Sequence, residues 1–566
     1  MNSITFLILR RMRRPLLLLL TVYSIAVLGF TIIPGLDDDG NVWRMDFFHA
    51  FYFVSYMGST IGFGELPYTF TDAQRMWTMV TIYTTVVAWL YTIGSIISLI
   101  QDPTLRETLI LKNFEKTVRK LHEPFYLVCG YGETGNQLVT ALSQRGLRSV
   151  VIDKGEDKIN ALQLQDFGIF VPGICGEASN VEILKDAGLK NRFCKGVFAL
   201  TDDDLVNLKV SITSKLLNPD VKVIARVEYQ DIKDNMKSFG TDHIINPFDS
   251  FADLVSLAVK APSFYLLQTW LTSPPGTELI EPVFPPKGRW IICGYGRFGH
   301  AMHKRLSNLG IDVTVVDANP DVTNPPKHFV FGVGTEAVTL REAEIDTATA
   351  LVAANDNDTN NLSTIMTASQ LNPDLFLISR QNGSANDELF QAASLNMITY
   401  HNRVVARRTL AIITTPLTEE FLKLARKQEI TWANQLVSRI IAVIDDQVPH
   451  TWVINVKPRS SKAIMRSLKE RRPVHLRHLI KDPTNRKQNL DCVPLMIKRD
   501  QKSLLSPEDK EMIRIGDSIL FTGTDDSEIK MRRIARNYED LFYVRTGVTR
   551  PSGYIWRKFF AENEKN

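Results

Sequence analysis

Three short stretches of this 566-residue chain carry residues whose types and spacing could do chemistry. The first is Ser59-Thr60-Ile61-Gly62-Phe63-Gly64-Glu65. Alternate glycines let a backbone turn its carbonyl oxygens toward a shared axis, where several chains together can replace the hydration shell of a cation. The other two are Gly130-Tyr131-Gly132-Glu133-Thr134-Gly135 and Gly294-Tyr295-Gly296-Arg297-Phe298-Gly299. In a loop of this kind the first glycine permits the tight turn and the second lets the backbone approach a pyrophosphate. The third lets strand and helix pack closely, and the following helix points its positive end at the phosphates. Asp153 and Asp317 lie where a second strand would end, in reach of ribose hydroxyls. A carboxylate there disfavours a 2′-phosphate, so NAD or ADP is expected rather than NADP. Arg297 suits a phosphate, whereas Glu133 does not favour a nearby pyrophosphate.

The elements that must position these residues follow from pattern. Pro15 to Ile33 and Trp77 to Ile100 contain no charged residue, and each is long enough to cross a hydrocarbon core of about 30 Å as a helix. A secretory signal peptide is the competing reading of the first; its length and the absence of a small-residue cleavage pattern argue against it. Arg10, Arg11, Arg13 and Arg14 precede the first segment and hold the N-terminus in the cytoplasm by the positive-inside rule. Phe47 to Gly64 is also uncharged. A third crossing there would export the thiols and nucleotide folds that follow, so a re-entrant helix and loop is expected. Non-helical backbone at membrane depth is tolerated only where protein or a wet cavity surrounds it.

The two glycine loops belong to an internal duplication. One 164-residue offset relates Gly130 to Gly294 and Asp153 to Asp317, and a 154-residue offset relates Asn218-Pro219 to Asn372-Pro373 and Arg226 to Arg380. Each copy reads strand, glycine loop, helix, strand, acid, which is the context a dinucleotide fold requires. Asp202-Asp203-Asp204 and Asp356/Asp358 follow apolar strands at matching places. Calcium takes several oxygens, so a divalent site is one reading; no loop has a complete ligand spacing, and a solvated helix cap is the reading favoured.

Composition excludes several classes. Hydrophobic residues make up 44% and charged residues 23%, soluble-protein averages that leave any membrane part a minority of the chain. A net charge of +4 with no basic stripe gives no case for nucleic acid. Cys129, Cys175, Cys194, Cys293 and Cys492 are odd in number and scattered, which argues against a disulfide framework and fits a reducing compartment.

Thr60-Ile61-Gly62-Phe63-Gly64-Glu65 resembles the filter signature of potassium channels, with Ile in place of Val and Phe in place of Tyr. The resemblance implies that Thr60, Ile61, Gly62 and Phe63 supply ion-coordinating oxygens, and that K+ permeates a homotetramer. The Phe substitution removes a phenolic hydroxyl that usually braces such a filter from behind. Gly94, the one glycine of the second span, is a candidate gating hinge, with helix packing as the alternative. The repeat resembles RCK domains, the regulators of potassium conductance, over residues 121–540, including Gly173-Ile174-Cys175-Gly176 and Gly332-Val333-Gly334-Thr335. It implies that Arg226 and Arg380 lie near bound phosphate, with a structural ion pair as the alternative. Leu505 to Glu508 and Gly516 to Gly523 resemble a TrkA-C subdomain.

The expected fold is an α-helical two-transmembrane pore domain with a re-entrant pore loop, two α/β Rossmann-like RCK domains and a C-terminal α+β TrkA-C-like subdomain. The expected divisions are a pore domain over 1–101, a linker over 102–120, a first lobe over 121–246 and a crossover helix with interlobe connection over 247–285. A second lobe follows over 286–401, then a helical connection over 402–436, the TrkA-C-like subdomain over 437–544 and a tail over 545–566. The first nucleotide site is expected from Gly130, Gly132, Glu133, Thr134, Gly135, Asp153 and Arg226. The second is expected from Gly294, Gly296, Arg297, Phe298, Gly299, Asp317 and Arg380, and the filter from Thr60, Ile61, Gly62, Phe63 and Gly64. The expected function is a non-enzymatic, ligand-gated potassium channel of the prokaryotic plasma membrane. Both termini and the RCK ring are expected in the cytoplasm, with eight RCK domains per tetramer. NAD or ADP is the expected ligand, and calcium is a further candidate. A membrane-anchored NAD-dependent oxidoreductase and a regulatory subunit of a potassium transporter are the alternatives; neither needs residues 59–65.

Overall fold

The computed structural model describes residues 3–65, 68–279, 282–444 and 446–549, and the expected tail lies outside the described residues from 550 onward. The chain divides into two compact units, Met1–Lys120 and Leu121–Asn566.

The first unit holds helices α1 (Ser3–Ile32), α2 (Phe47–Gly58), α3 (Asp72–Ile100) and α4 (Pro103–Arg119), with a two-residue antiparallel ladder, β1 (Gly35–Leu36) and β2 (Val42–Trp43), between α1 and α2. Arg10–Ile32 and Asp72–Ile100 are long and apolar enough to cross a membrane. α2 has 12 residues, about 18 Å of rise, and cannot. Its start is fixed by Asp46, whose carboxylate accepts from the amide of His49, and α3 starts at a capping box of Thr71 and Gln74. α1 and α3 pack along each other. Arg11 pairs with Asp102, the cap of α4, so the N-terminal end of α1 and the C-terminal end of α3 lie at one end of the pair. Ala26, Val27 and Phe30 close over Phe53, Val54 and Met57 of the short helix. One close approach seats the short helix on α1, and another brings α1 against α3. A Cβ on Gly58 would fall 2.3 Å from the Tyr23 hydroxyl, and one on Gly29 would fall 2.1 Å from the Trp77 ring.

In the second unit, β3 (Phe125–Cys129), α5 (Glu133–Gln144), β4 (Arg148–Asp153), α6 (Glu156–Leu164), β5 (Gly173–Cys175), α7 (Val181–Asp186), β6 (Cys194–Ala199), α8 (Asp204–Leu217), β7 (Lys222–Arg226), α9 (Gln230–Ser238) and β8 (His243–Ile245) form the first lobe. Its strands are all parallel, in the order β5-β4-β3-β6-β7-β8. Helices α10 (Pro247–Lys260) and α11 (Pro262–Thr272) follow. The second lobe repeats the plan with β9 (Arg289–Cys293), α12 (Arg297–Ser307), β10 (Asp312–Asp317), α13 (Pro320–Thr323), β11 (Phe329–Phe331), α14 (Ala337–Glu342), β12 (Ala350–Ala353), α15 (Asp358–Leu371), β13 (Phe376–Gln381), α16 (Asp387–Ala392) and β14 (Met397–Tyr400), ordered β11-β10-β9-β12-β13-β14. Both sheets have the doubly wound order in which the strand sequence reverses beside the first strand, and a glycine loop leaves that first strand at the reversal.

Helices α17 (His401–Thr414) and α18 (Pro416–Ala425) repeat α10 and α11, proline included: Pro262 and Pro416 each begin the second helix of their pair. The two pairs are exchanged between lobes. α10 packs against α12 of the second lobe, and α17 packs against α5 of the first. Phe248, Phe251 and Val255 thereby share a core with Phe298, Ala301 and Met302, and Val405, Ala406 and Leu410 share one with Leu138, Val139 and Leu142. After α19 (Ile430–Ile441) comes an antiparallel sheet, β15 (His450–Asn455), β16 (Cys492–Arg499), β17 (Lys502–Leu505) and β18 (Ser518–Gly523), ordered β15-β18-β16-β17. Helices α20 (Lys462–Lys469), α21 (Leu476–Ile480), α22 (Asp525–Arg536) and α23 (Tyr538–Thr546) accompany it. The five cysteines are free.

Phe251 is 4% exposed at the exchanged interface. Phe251→Ala should cost about 3–5 kcal/mol, and thermal unfolding of the full chain in detergent should show one early transition from the soluble lobes; an unchanged melting profile would mean that the exchange does not hold the lobes together.

Candidate functional site

The chain leaves α2 through a backbone tied to its last turn. The amides of Ile61 and Gly62 donate to the Tyr56 carbonyl at 3.1 and 3.3 Å. Thr60, Gly62 and Gly64 then take φ of +63°, +65° and +78°, while Ile61 and Phe63 between them stay outside the positive-φ set. A backbone whose φ alternates in sign turns successive carbonyls to one side instead of to opposite sides, which is what a row of cation-coordinating oxygens requires. Thr60 is not a glycine, and holding it in the left-handed region costs about 1–3 kcal/mol. The expected filter residues Thr60, Ile61, Gly62, Phe63 and Gly64 are therefore contiguous, exposed in a single chain, and conformationally set apart from the helix before them. Behind them, the Tyr56 hydroxyl donates to the Glu65 carbonyl at 3.0 Å and the Tyr52 hydroxyl donates to Glu65 Oε2 at 3.2 Å. Two tyrosines of α2 thus supply phenolic bracing of the kind that Phe63 cannot. Gly94 lies inside the unbroken α3, and a Cβ there would meet nothing within 4 Å, so packing within this chain does not require it.

At the glycine loops the three glycines differ in what holds them. Gly130 and Gly294 have φ of +102° and +100°. A Cβ on Gly135 or Gly299 would fall 2.0 Å from the carbonyl oxygen of Gly130 or Gly294 respectively. These four are demanded by the fold. The middle glycines are not: Gly132 and Gly296 have φ of −76° and −65°, which any residue adopts, and a Cβ on Gly296 would meet nothing within 4 Å. Asp153 and Asp317 are buried and steady the loops from below. Asp153 accepts from the amides of Tyr131 (2.6 Å) and Gly155 (2.8 Å). Asp317 accepts from the amides of Tyr295 (2.7 Å) and Asn319 (2.8 Å) and from the Thr323 hydroxyl (2.9 Å). A carboxylate offers about four acceptor positions, so capacity remains at each.

Each loop also reaches the other lobe. Glu133 accepts from the Ser384 amide and hydroxyl and from Asn402, and the Thr134 hydroxyl donates to Asn402. Arg297 pairs with Glu228 and lies 5.1 Å from the Tyr229 ring centre. The repeated arginines have diverged. Arg226 donates to Asp202 at 2.7 Å and to Glu228 at 2.6 Å. Arg380 sits 4.8 Å over the Phe248 ring and is 8% exposed; among the described residues it has no carboxylate partner, and its Nε has no hydrogen bond. Burial, then the like charge of Arg297, lowers its pKa from the ordinary value. Phe298 lies in the exchanged core, with no polar role.

The TrkA-N domain family matches residues 126–247 and again 290–401, and the ion channel family matches residues 16–102. The chain joins an ion channel segment to two TrkA-N domains. It is related to archaeal and bacterial potassium channel proteins. It is 28% identical over 204 residues to potassium channel protein 1 of Methanocaldococcus jannaschii, covering 36% of this chain and 59% of that protein. It is likewise 28% identical over 202 residues to the voltage-gated potassium channel Kch of Escherichia coli, covering 35% of this chain and 46% of that one. The chain thus spans less than two thirds of the length of each. Among solved structures, the GsuK channel bound to NAD superposes on 94% of this chain and 99% of its own, at 15% identity and a TM-score of 0.44.

The acid cluster of the first TrkA-N domain, and Asp358 of the second, are engaged internally. Asp203 caps α8, Asp204 accepts from the amides of Glu228 and Tyr229, and Asp202 pairs with Arg226. Asp358 accepts from the Asn382 and Gly383 amides and from the Asn386 side chain. Those hydrogen bonds hold its pKa below the usual carboxylate value despite its burial. Elsewhere, donor atoms of His450, Asp525 and Glu528 lie within 4.8 Å of one another. Sequence reasoning missed Tyr52, Tyr56, Glu228, Phe248, Ser384 and Asn402, all of which act across a loop or between TrkA-N domains.

The glycines separate fold from ligand space. Gly299→Ala should lower stability by about 1–3 kcal/mol, while Gly296→Ala should stay within about 0.5 kcal/mol of the parent, measured by thermal unfolding; equal losses in both would show that the middle glycine serves the fold.

Proposed function

We propose that the chain is one subunit of a potassium-selective channel gated by a nucleotide bound at the second TrkA-N domain. The observation that carries the channel reading is the run of positive φ at Thr60, Gly62 and Gly64, at the end of a helix too short to cross and between two segments long enough to do so. One chain presents this row of oxygens to open space, so the reading requires a ring of chains. Four chains make the filter, and their eight TrkA-N domains make the cytoplasmic ring. With Arg10, Arg11, Arg13 and Arg14 at the cytoplasmic face of the inner membrane, two crossings keep both termini and both TrkA-N domains on that side. Gly94 is the candidate hinge of α3, and Glu65 concentrates cations at the outer mouth of the filter.

The second TrkA-N domain is the better nucleotide site because Arg380 is a buried guanidinium with no carboxylate at ion-pair distance among the described residues, which a phosphate would satisfy; the middle glycine is open in both loops. In the first domain, Arg226 is already held by Asp202 and Glu228. The two aspartates favour NAD or ADP over NADP. Arg297 would contribute to the same phosphates only by leaving Glu228, so binding at this loop alters a tie between the two domains; a ligand biases opening through that difference in affinity. Calcium stays outside the proposal, because Asp203, Asp204 and Asp358 are engaged in internal bonds and no loop has a complete ligand spacing. An oxidoreductase or transporter subunit would leave residues 59–65 without a role.

Reconstitution in liposomes tests the reading. Potassium efflux should exceed sodium efflux by at least about a hundredfold and should change on adding NAD or ADP; flux that is absent or unselective under every condition would sink the channel reading. Tyr56→Phe, which removes the hydroxyl bond to Glu65, should weaken that selectivity several-fold without loss of tetramer.

A second comparison separates the two arginines. Arg226→Gln removes two charged hydrogen bonds and should cost about 1.5–3 kcal/mol, whereas Arg380→Gln should leave stability unchanged or raised and abolish the nucleotide response. If Arg380→Gln keeps a normal dose–response, the nucleotide lies elsewhere.

A further inference from the structure

Apart from the glycine loops, a cavity of about 370 Å³ lies where the exchanged helices meet, lined by α10, α11, α17 and α18. Its floor is apolar, with Phe251, Leu254, Ile412 and Leu422. Its rim is cationic. Arg407, Arg408, Lys423 and Arg426 face it against two carboxylates, Asp253 and Glu419, and both of these are already taken: Asp253 pairs with Arg305, and Glu419 with Arg408 at 3.7 Å and with His243 at 3.7 Å. Arg408 also donates to the Ser250 hydroxyl at 3.0 Å, and Arg426 donates to the Gln268 side chain. Arg407 and Lys423 have no ion pair or hydrogen bond among the described residues. The second observation is independent of charge. Thr418, in the first turn of the ten-residue α18, lines the same cavity, is 0% exposed, and its hydroxyl has no hydrogen-bond partner. A buried hydroxyl left unsatisfied costs about 1–3 kcal/mol; α18 has no side-chain cap, although Pro416 has no amide hydrogen and the Thr418 amide already donates to the Thr415 carbonyl at 2.9 Å.

We infer that this cavity binds a small organic anion, an oxyanion headgroup on an apolar body. The headgroup would lie among Arg407, Arg426, the Thr418 hydroxyl and the start of α18, and the body against Phe251 and Leu422. Guanidinium pairs and a helix N-terminus suit phosphate and carboxylate alike. The site is distinct from both glycine loops, and binding there does not depend on the channel reading. Because α10 and α17 belong to different halves of the repeat, an occupant would tie the two TrkA-N domains together at their exchanged helices.

The test is isothermal titration of the full chain in detergent with phenyl phosphate, benzoate and inorganic phosphate. One molecule of phenyl phosphate or benzoate per chain should bind. Preference for the first identifies a phosphate ester as the natural headgroup, and preference for the second a carboxylate. Arg407→Gln should weaken binding by about tenfold or more, and Gly296→Ala, which alters the nucleotide loop, should leave it unchanged. Thr418→Val should weaken binding several-fold while leaving the melting temperature equal or higher, since it removes an unsatisfied buried group. Absence of binding by both aromatic anions, or binding indifferent to Arg407→Gln and Thr418→Val together, would overturn the inference.

Discussion

The architecture of the soluble unit depends on an exchange of helices. Within each lobe the parallel sheet packs against that lobe's own helices, α5 and α8 in the first and α12 and α15 in the second, but the outer faces of α5 and α12 are left for the other half to close. The apolar face of α5 is closed by Val405, Ala406 and Leu410, which the chain reaches only after finishing the second sheet; the face of α12 is closed by Phe248, Phe251 and Val255, which leave the first. Each fully buried aliphatic or aromatic side chain in such a core contributes about 1.5–3 kcal/mol, so separating the lobes would strip several of them at once. The duplication therefore behaves as an intramolecular pair, and its pseudo-symmetry explains why each glycine loop faces the strand ends of the other lobe.

Within that frame the two halves have taken opposite electrostatic courses. At the fourth loop position the first half has Glu133, which accepts bonds from Ser384 and Asn402, and the second has Arg297, which seeks Glu228. Glu228 serves two arginines, one from each half, Arg226 and Arg297. The corresponding position of the other half is Asn382, which has no charge to offer Arg380. That change from acid to amide removes one of the two acids that Arg226 meets; the other, Asp202, has its counterpart in Asp356, which acts on Arg380 only from beyond ion-pair distance. The repeated asparagines tell the same story of common scaffold and divergent site: Asn207 and Asn361 each bind the carbonyl of the arginine, Arg226 or Arg380, on the neighbouring strand.

Much of this was legible in the sequence because it is local. Uncharged runs of helical length, a glycine loop between strand and helix, and an acid at the end of the next strand are all short-range patterns, and both sheets have the doubly wound order that these patterns imply. The short α2 followed by alternating φ was legible for the same reason. What was not legible is non-local. Nothing in the spacing of Glu133 reveals Ser384, 251 residues away. The exchange of α10 and α17 has no signature in either helix alone, since an apolar stripe does not say which lobe it will cover. The helical stretch after residue 401 reads as a connection until Pro416 is set beside Pro262; only then does it become the second copy of the crossover. Tyr56 looked like one more apolar residue of a helix, and its hydroxyl matters only because the chain turns back over the end of that helix.

The same geometry limits how a nucleotide can act. In the proposed reading a phosphate at Gly296 would gain Arg380 at little cost, because that guanidinium is already buried with no carboxylate at ion-pair distance among the described residues. It gains Arg297 only by competition with Glu228. The first contribution breaks no ion pair between the two domains and so supplies mainly affinity. The second removes an ion pair that joins them and so supplies coupling, because only an interaction that differs between states can shift their balance. The released Glu228 is not stranded, since Arg226 holds its other oxygen at 2.6 Å. In the proposed reading the first domain therefore contributes as the counter-charge that the ligand of the second displaces, and this gives the diverged half of the duplication a function without requiring it to bind a nucleotide of its own.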